Sequence, residues 1–377
     1  MPELWGRTYS QAELMRRVGR LDQVAWVREV TLNDGQGRGV RILEFRTGSG
    51  FAFDVLVDRA FDVGRCEYEG RALNWTSSVG VVAPAFYEND AWGWFRAWGG
   101  GMVVTCGLDH TMNGARDTAA QFHQPHMFES VDYGLHGRVG GLPARLLGYG
   151  ETWDGDECIL WAEGEVRQVS VFGETLILRR RIETRVGASH FTLHDEVRNA
   201  GYSRTSHMVL YHCNVGFPLV DGGSELLIPS AGTTTDPWSS VEGYRTLTEP
   251  QADFQEACFY EAVQAEASGQ VPVAVVNRRL GLGLYQVFDR RQLPEFMVWR
   301  MMGEGAYAVA LEPGTNRAVP RSELRSTGQL IELEPGERRT YDLELGVLRG
   351  DTAIDGFQER VARVSAVAAQ VPRPDPK

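Results

Sequence analysis

A large antiparallel β-sandwich, all-β apart from short peripheral helices, is predicted by three features of the 377-residue chain. Short β-prone runs recur along nearly its whole length, apolar and polar residues alternate within them, and Gly-containing turns separate them. Helical spacing is confined to one stretch near each end. Many antiparallel strands with few helices imply two large sheets packed face to face, each turning apolar residues inward and polar residues outward.

Taken in order, Ser10 followed by Gln-Ala-Glu-Leu-Met-Arg-Arg-Val predicts a capped helix over about 10–18, with Glu13 at the capping-box position. Strands are expected at Ala25 to Leu32, Gly39 to Phe45 and Phe51 to Val57, separated by Asn33-Asp34-Gly35 and Gly48-Ser49-Gly50. Between Asn74 and Arg145 the periodicity breaks, and Gly, Pro, Trp, His and Asn dominate. Long irregular segments of this kind in a compact domain are usually binding or catalytic loops. Strands resume at Leu146 to Tyr149, Cys158 to Glu163, Glu165 to Phe172, Thr175 to Thr184 and His190 to Val197. Further ones follow from Glu225 to Ile228 through Phe296 to Met301 and Ala306 to Leu311, and on to Arg338 to Leu348, which the turn Glu334-Pro-Gly-Glu337 introduces. Ile354, Phe357, Val361 and Val364 form the apolar stripe of a helix over about 352–367. Length and composition alone permit one domain or two, but no linker, repeat or low-complexity segment interrupts the pattern, so residues 1–377 are expected to form a single domain.

With 43% hydrophobic and 23% charged residues, the chain has the composition of a folded globular protein. Its formal charge of -12 opposes binding to phosphate backbones or anionic lipid, so neither nucleic acid nor membrane is an expected partner. No run approaches the roughly 20 apolar residues of a membrane helix, and Met-Pro-Glu-Leu-Trp-Gly-Arg lacks a signal-peptide core, which points to the cytoplasm. Five cysteines without C-x-x-C spacing fit reduced thiols better than disulfides or zinc. Dinucleotide, P-loop and serine-hydrolase motifs are absent, so any chemistry must rest on ordinary acids and bases.

Four stretches carry residues suited to such chemistry. In Trp94-Phe-Arg-Ala-Trp-Gly-Gly-Gly-Met102, three glycines allow close backbone approach and Arg96 offers a forked donor, and the chain then runs into Thr105-Cys-Gly-Leu-Asp-His110. Trp92, Trp94 and Trp98 form either core or a stacking surface for a flat apolar ligand face, such as that of a sugar ring. Gly134-Leu-His-Gly-Arg-Val139 presents His136 between glycines. Ser206 to Pro218 is an apolar strand bearing His207, His212 and Asn214. The odd spacing of its histidines sends them to opposite faces, so one of them can enter a cavity. The competing role for His212 is that of a core histidine satisfied by a backbone carbonyl. Tyr307 to Asn316 delivers Glu312 at the end of a nearly uncharged strand, where burial would raise its pKa toward that of a useful base. His123 and His126 have a spacing that could chelate a metal, but Pro125 breaks any helix between them and no carboxylate-rich context accompanies them.

Four of these pieces together, Thr105-Cys-Gly-Leu108, Leu135-His-Gly137, Asn199 to His212 and Leu311-Glu-Pro-Gly-Thr-Asn316, resemble in order and spacing the galactose mutarotase-like superfamily, the aldose 1-epimerases. The resemblance spans most of the chain. It implies a supersandwich fold and cofactor-free, metal-free opening of a sugar hemiacetal, with His212 as general acid and Glu312 as general base. It also implies that His136 holds a ring hydroxyl or the ring oxygen, with Arg96 as a second donor and Trp299 and Trp98 along the sugar face. His110 and Asn214, which sit in the same stretches, complete the candidate substrate-binding set. Where other members carry His-Thr-Tyr-Phe or similar, this chain has His212-Cys-Asn-Val-Gly-Phe-Pro; their Gly-Arg-x-x-Asn-Arg arginine has no clean match, Arg96 corresponding by position alone, and Glu256 and Glu261 are the candidates for a third carboxylate. The expected partner is a small sugar or sugar derivative, bound by a monomer or homodimer. The alternatives are a carbohydrate-binding protein without turnover, and a metal-dependent isomerase or lyase that uses His123 and His126.

Overall fold

Alternation is explicit in the strand Glu157–Val169, where buried side chains at every second position face inward. The computed structural model describes residues 1–88, 90–119 and 129–369, so His123 and His126 lie outside the described residues. An eight-stranded antiparallel sheet runs in the order Ala144–Asp154, Glu157–Val169, Thr175–Arg185, His190–Asn199, Arg338–Arg349, Leu282–Asp289, Gln270–Asn277 and Glu225–Leu227. A seven-stranded sheet carries Ala257–Val263, Glu295–Gly303, Ala306–Gly314 and Thr205–Gly216 as successive neighbours, with Val104–Leu108 also paired to Thr205–Gly216. The N-terminal strands from Trp26–Thr31 to Arg71–Ala72 form a five-stranded meander.

Inward residues of all three sheets, among them Phe53, Phe191, Leu345, Val298 and Leu311, belong to one contiguous apolar cluster. This is the β-sandwich that the alternation predicts. Phe53 and Phe191, from the five- and eight-stranded sheets, pack at a tilt with centroids 4.8 Å apart. A buried polar knot also ties the sheets together. The Arg180 guanidinium donates to both oxygens of Asp195 at 2.8 and 2.7 Å, to Asp62 at 2.7 Å and to Thr105 Oγ1 at 2.8 Å. Tyr211 donates its hydroxyl to Asp195 at 2.6 Å. Each buried charge therefore has a partner, the condition under which burial is tolerable.

Thr205–Gly216 is buried at every position because it is covered on both faces. Val209, Tyr211, Cys213 and Val215 enter the large core, whereas Leu210 faces a separate cluster built around Trp75, Trp94, Trp98 and Trp299. The two histidines of this strand therefore part to opposite faces. His207 lies with the core set, donating from Nδ1 to the Leu108 carbonyl at 2.8 Å and accepting at Nε2 from the Tyr341 hydroxyl at 2.6 Å. His212 turns toward the tryptophans.

Helices are peripheral. The first spans Gln11–Met15, shorter than expected, and carries the Ser10–Glu13 capping box. Val18, three residues on, is buried outside the helix. The last spans Gly350–Ala369, and a further short helix, Arg321–Ser326, follows Pro320. One strand is longer than its sequence suggests. Ala144–Asp154 is continuous, with a register shift between Leu146 and Gly148 that hides it among glycines. Among the described residues, no helix is long and apolar enough to cross a membrane.

Candidate active site

Strand register creates the central contact. Thr205–Gly216 pairs with Ala306–Gly314 so that Leu210 lies opposite Gly314 and Cys213 opposite Leu311, which sets His212 across from Glu312 on the same face. His212 Nε2 stands 3.4 Å from Glu312 Oε1. The approach falls short of a hydrogen bond, and among the described residues neither Glu312 oxygen nor His212 Nδ1 has a hydrogen-bond partner. Unpaired polar atoms are costly in an interior, and here they line a cavity of about 560 Å³ that can receive polar partners.

The surroundings explain the electrostatics. Trp98 and Trp299 stand 4.9 and 5.6 Å from the His212 ring, centroid to centroid, and Trp94 packs against His136 at 4.6 Å. Removed from water by these rings, the His212 imidazole is pushed down to about 3, with the Asn214 side chain beside it acting in the opposite sense. Burial holds the Glu312 carboxyl well above its usual range, and the nearby Glu256 charge adds to the effect. Both partners are thus driven toward their neutral forms. A protonated carboxyl facing a neutral imidazole holds the same number of protons as a carboxylate facing an imidazolium, so the pair carries one transferable proton.

His136 enters from the irregular segment. Its backbone adopts φ +58°, and Gly137 follows at φ +70°. Glycine is required there, because a Cβ would meet the carbonyl oxygens of Gly107 and His110 at 2.5 Å. This close approach seats His136 at the cavity wall, where burial, then the neighbouring His212 and His110, hold its imidazole well below the ordinary value. His136 Nδ1 has no partner among the described residues. His110 also lines the cavity; its Nε2 donates to the Asn113 carbonyl at 2.8 Å, and burial lowers its pKa.

Of the residues proposed from sequence, His110, His136, His212, Trp299 and Glu312 meet around this one cavity. Arg96 and Asn214 do not line it. In the turn Gly93–Arg96, Trp94 points inward, and Arg96 is left on the surface in an ion pair with Glu88. Asn214 shares the face of His212 but lies beneath it, donating from Nδ2 to the carbonyls of Gly101 and His212, both at 2.9 Å. It is placed to hold the strand rather than to touch a ligand. Of the two third-carboxylate candidates, Glu256 lines the cavity and accepts the Trp299 indole N–H at 2.8 Å. Glu261 instead accepts from Thr233 at 2.8 Å in an adjoining cleft.

Asp236 and Trp238 also line the cavity and were not singled out from sequence. The signal was the end of Thr233-Thr-Thr-Asp-Pro-Trp238, a polar run closing on a carboxylate and an aromatic ring. Among the described residues, no cluster of three or more His, Cys, Asp or Glu is arranged to hold a metal ion.

Residues 37–347 match the profile of a family described as a domain of unknown function, DUF4432. No curated protein matches the chain. Among solved structures, a candidate aldose 1-epimerase from Klebsiella pneumoniae is 25% identical, with a TM-score of 0.82 over 92% of this chain and 90% of that one. A galactose mutarotase-like protein from Clostridium acetobutylicum is 12% identical, with a TM-score of 0.59 over 87% of this chain and 99% of that one. A galactose 1-epimerase from Lactobacillus acidophilus is 12% identical, with a TM-score of 0.55 over 86% and 99%. The sandwich is therefore of the galactose mutarotase-like kind.

Proposed function

From the premise that the chain belongs to the DUF4432 family and has a galactose mutarotase-like fold, we propose that it is an aldose 1-epimerase, interconverting the anomers of a free sugar by acid/base ring opening. A fold alone assigns no reaction. The observation that supports this one is the buried pair His212 and Glu312, 3.4 Å apart at the wall of a cavity lined by tryptophan.

Anomer exchange needs one proton delivered to the ring oxygen and one removed from the anomeric hydroxyl. In this reading the productive form is the tautomer in which the pair's one transferable proton has passed from the Glu312 carboxyl to His212, leaving Glu312 as a carboxylate. Glu312 takes the hydroxyl proton, the O–H electrons form the carbonyl, and the C1–O5 bond breaks with its electrons going to the ring oxygen. His212 supplies the proton that oxygen needs. Rotation about C1–C2 and reclosure with the roles reversed give the other anomer, and the pair ends with its original proton count. His136 donates to a ring hydroxyl or the ring oxygen, and the indole faces of Trp98 and Trp299 pack on the apolar face of the ring.

The test is saturation transfer between the anomers of a panel of free aldoses, measured by NMR with and without the protein. Exchange above the spontaneous rate on at least one sugar is expected. Sugar binding without exchange would leave a carbohydrate-binding protein instead.

A further inference from the structure

The charges around the cavity are unbalanced. Asp236, Glu256 and Glu312 supply its carboxyl groups, and Arg116 and Arg321 its guanidinium groups. Both arginines are already engaged. Arg116 donates to both oxygens of Asp132 at 2.6 and 2.8 Å, and Arg321 donates to Asp117 at 2.8 Å and to the Asp109 carbonyl. The three histidines of the site are held neutral by burial.

Asp236 and Glu256, by contrast, meet only neutral donors among the described residues. Asp236 accepts from the Cys258 backbone N–H at 2.9 Å and the Tyr260 hydroxyl at 3.4 Å, and Glu256 from the Trp299 indole at 2.8 Å. The aromatic rings beside them are held by these same bonds, and Trp238, 65% exposed, donates its indole N–H to the Glu256 carbonyl at 3.2 Å. Deeper in the same cavity, Glu312, held toward its neutral form by burial, is 1% exposed, and neither of its oxygens has a partner among the described residues. Asp236 and Glu256, without a counter-ion among the described residues and set among aromatic faces, form the chemical surroundings that ammonium groups favour, through charge-assisted hydrogen bonds and cation–π attraction.

We propose that the substrate is an amino sugar, a free aldose whose protonated amine binds between Asp236 and Glu256 against Trp238, Trp299 and Tyr260. The proposal rests on the epimerase reading above and narrows its substrate class. A neutral aldose leaves the two carboxylates without a counter-ion, and a sugar phosphate or uronate meets like charge.

The test compares anomer exchange by the full chain on D-glucosamine and D-galactosamine with exchange on D-glucose, D-galactose and the two N-acetylhexosamines. The measurements are made at about pH 6.5, where an amine of ordinary pKa of about 7.7 to 8.0 is protonated. The free amines are expected to exceed their neutral counterparts in kcat/KM by about tenfold or more, the scale of one charge-assisted hydrogen bond. Glu256→Gln and Asp236→Asn should each bring that ratio toward one. Equal rates on amine and parent hexose, or a ratio unchanged in both variants, would overturn the assignment. If no sugar is exchanged, calorimetry with the same compounds separates the two ideas. Tighter binding of the amines upholds the ammonium site and sinks the epimerase reading, whereas no preference sinks both.

Discussion

His212 and Glu312 are cross-strand neighbours, placed on one face of the sheet by the same register that pairs Cys213 with Leu311. Their 3.4 Å separation is thus a property of the sheet and not of a flexible loop. Side chains presented by paired strands hold their geometry more tightly than loop residues, which suits a reaction that must return the same proton to the same place. Asn214, two residues along the same strand, ties the His212 carbonyl to Gly101 and stiffens that edge.

Arg96→Ala should leave anomer exchange within about twofold of wild type, because the guanidinium lies on the surface and pairs with Glu88 instead of facing the cavity. Exposed ion pairs contribute little, so stability should also change little. A large loss of exchange with the fold intact would return Arg96 to the site.

His136→Ala should weaken sugar binding by about 1 to 3 kcal/mol, the effect of losing one hydrogen bond in a site that excludes water. Its unpartnered Nδ1 and its position on the cavity wall motivate the expectation. Calorimetry on the preferred sugar reads it, and an unchanged affinity would remove His136 from the binding set.

Stability should fall on the acid side. The folded-state values of His212 and His207 are depressed to about 3 and about 4 from an ordinary 6.5, in both cases chiefly by burial. A depressed histidine contributes stability that is fully present above 6.5 and is lost as pH falls through the folded value, because the unfolded chain takes up the proton first. Glu312 works in the opposite sense. Its raised value contributes stability that is present below 4.5 and lost as pH rises through the folded value. The urea midpoint should therefore drop between about pH 6.5 and pH 3, with a shallower drop in His212→Asn. Superimposable profiles for the two proteins would show that His212 does not resist protonation in the native state.

Arg180→Met should be severely destabilising, by about 3 to 5 kcal/mol, because it strands two buried carboxylates, Asp62 and Asp195, in the core. The measurement is equilibrium denaturation at pH 7. A loss below about 1 kcal/mol would mean that the knot relaxes by admitting water or by protonating a carboxylate.

The sandwich was legible because alternation survives in strands such as Glu157–Val169, and the histidine parity was legible because Thr205–Gly216 is an unbroken strand. Pairing was less accessible. Nothing in the hydrophobic pattern of Ala306–Gly314 says that it lies beside Thr205–Gly216, so the His212–Glu312 contact came from resemblance and from the register, not from periodicity. Arg96 was misplaced because a guanidinium among glycines and tryptophans looks like a ligand donor, while the direction of a single 3₁₀ turn is not written in residue types. Asp236 escaped notice because its role depends on Cys258 and Glu256, more than 19 residues away in sequence and adjacent only after the sheet forms.

The acid/base pair itself gives the sharpest expectation. If His212 protonates the ring oxygen while Glu312 deprotonates the anomeric hydroxyl, each acts in every turnover and they exchange roles on reclosure. Loss of a general acid or base costs about 10² to 10⁴ in rate, so His212→Asn and Glu312→Gln should each lose about 3 to 5 kcal/mol of transition-state stabilisation. Binding should change little, since Gln is isosteric with Glu and Asn keeps a polar amide near the position of the imidazole Nδ1. The double variant should be scarcely slower than either single, because a group that works only through its partner cannot be lost twice. Glu334→Gln supplies a control, since that carboxylate occupies the second Leu-Glu-Pro-Gly sequence but pairs with Arg204 on the surface. Anomer exchange by NMR and binding by calorimetry, with folding checked for each variant, separate rate from affinity. Near-normal exchange in either single variant would show that the wrong acid or the wrong base has been named, and fully additive losses would show that the two do not share one proton.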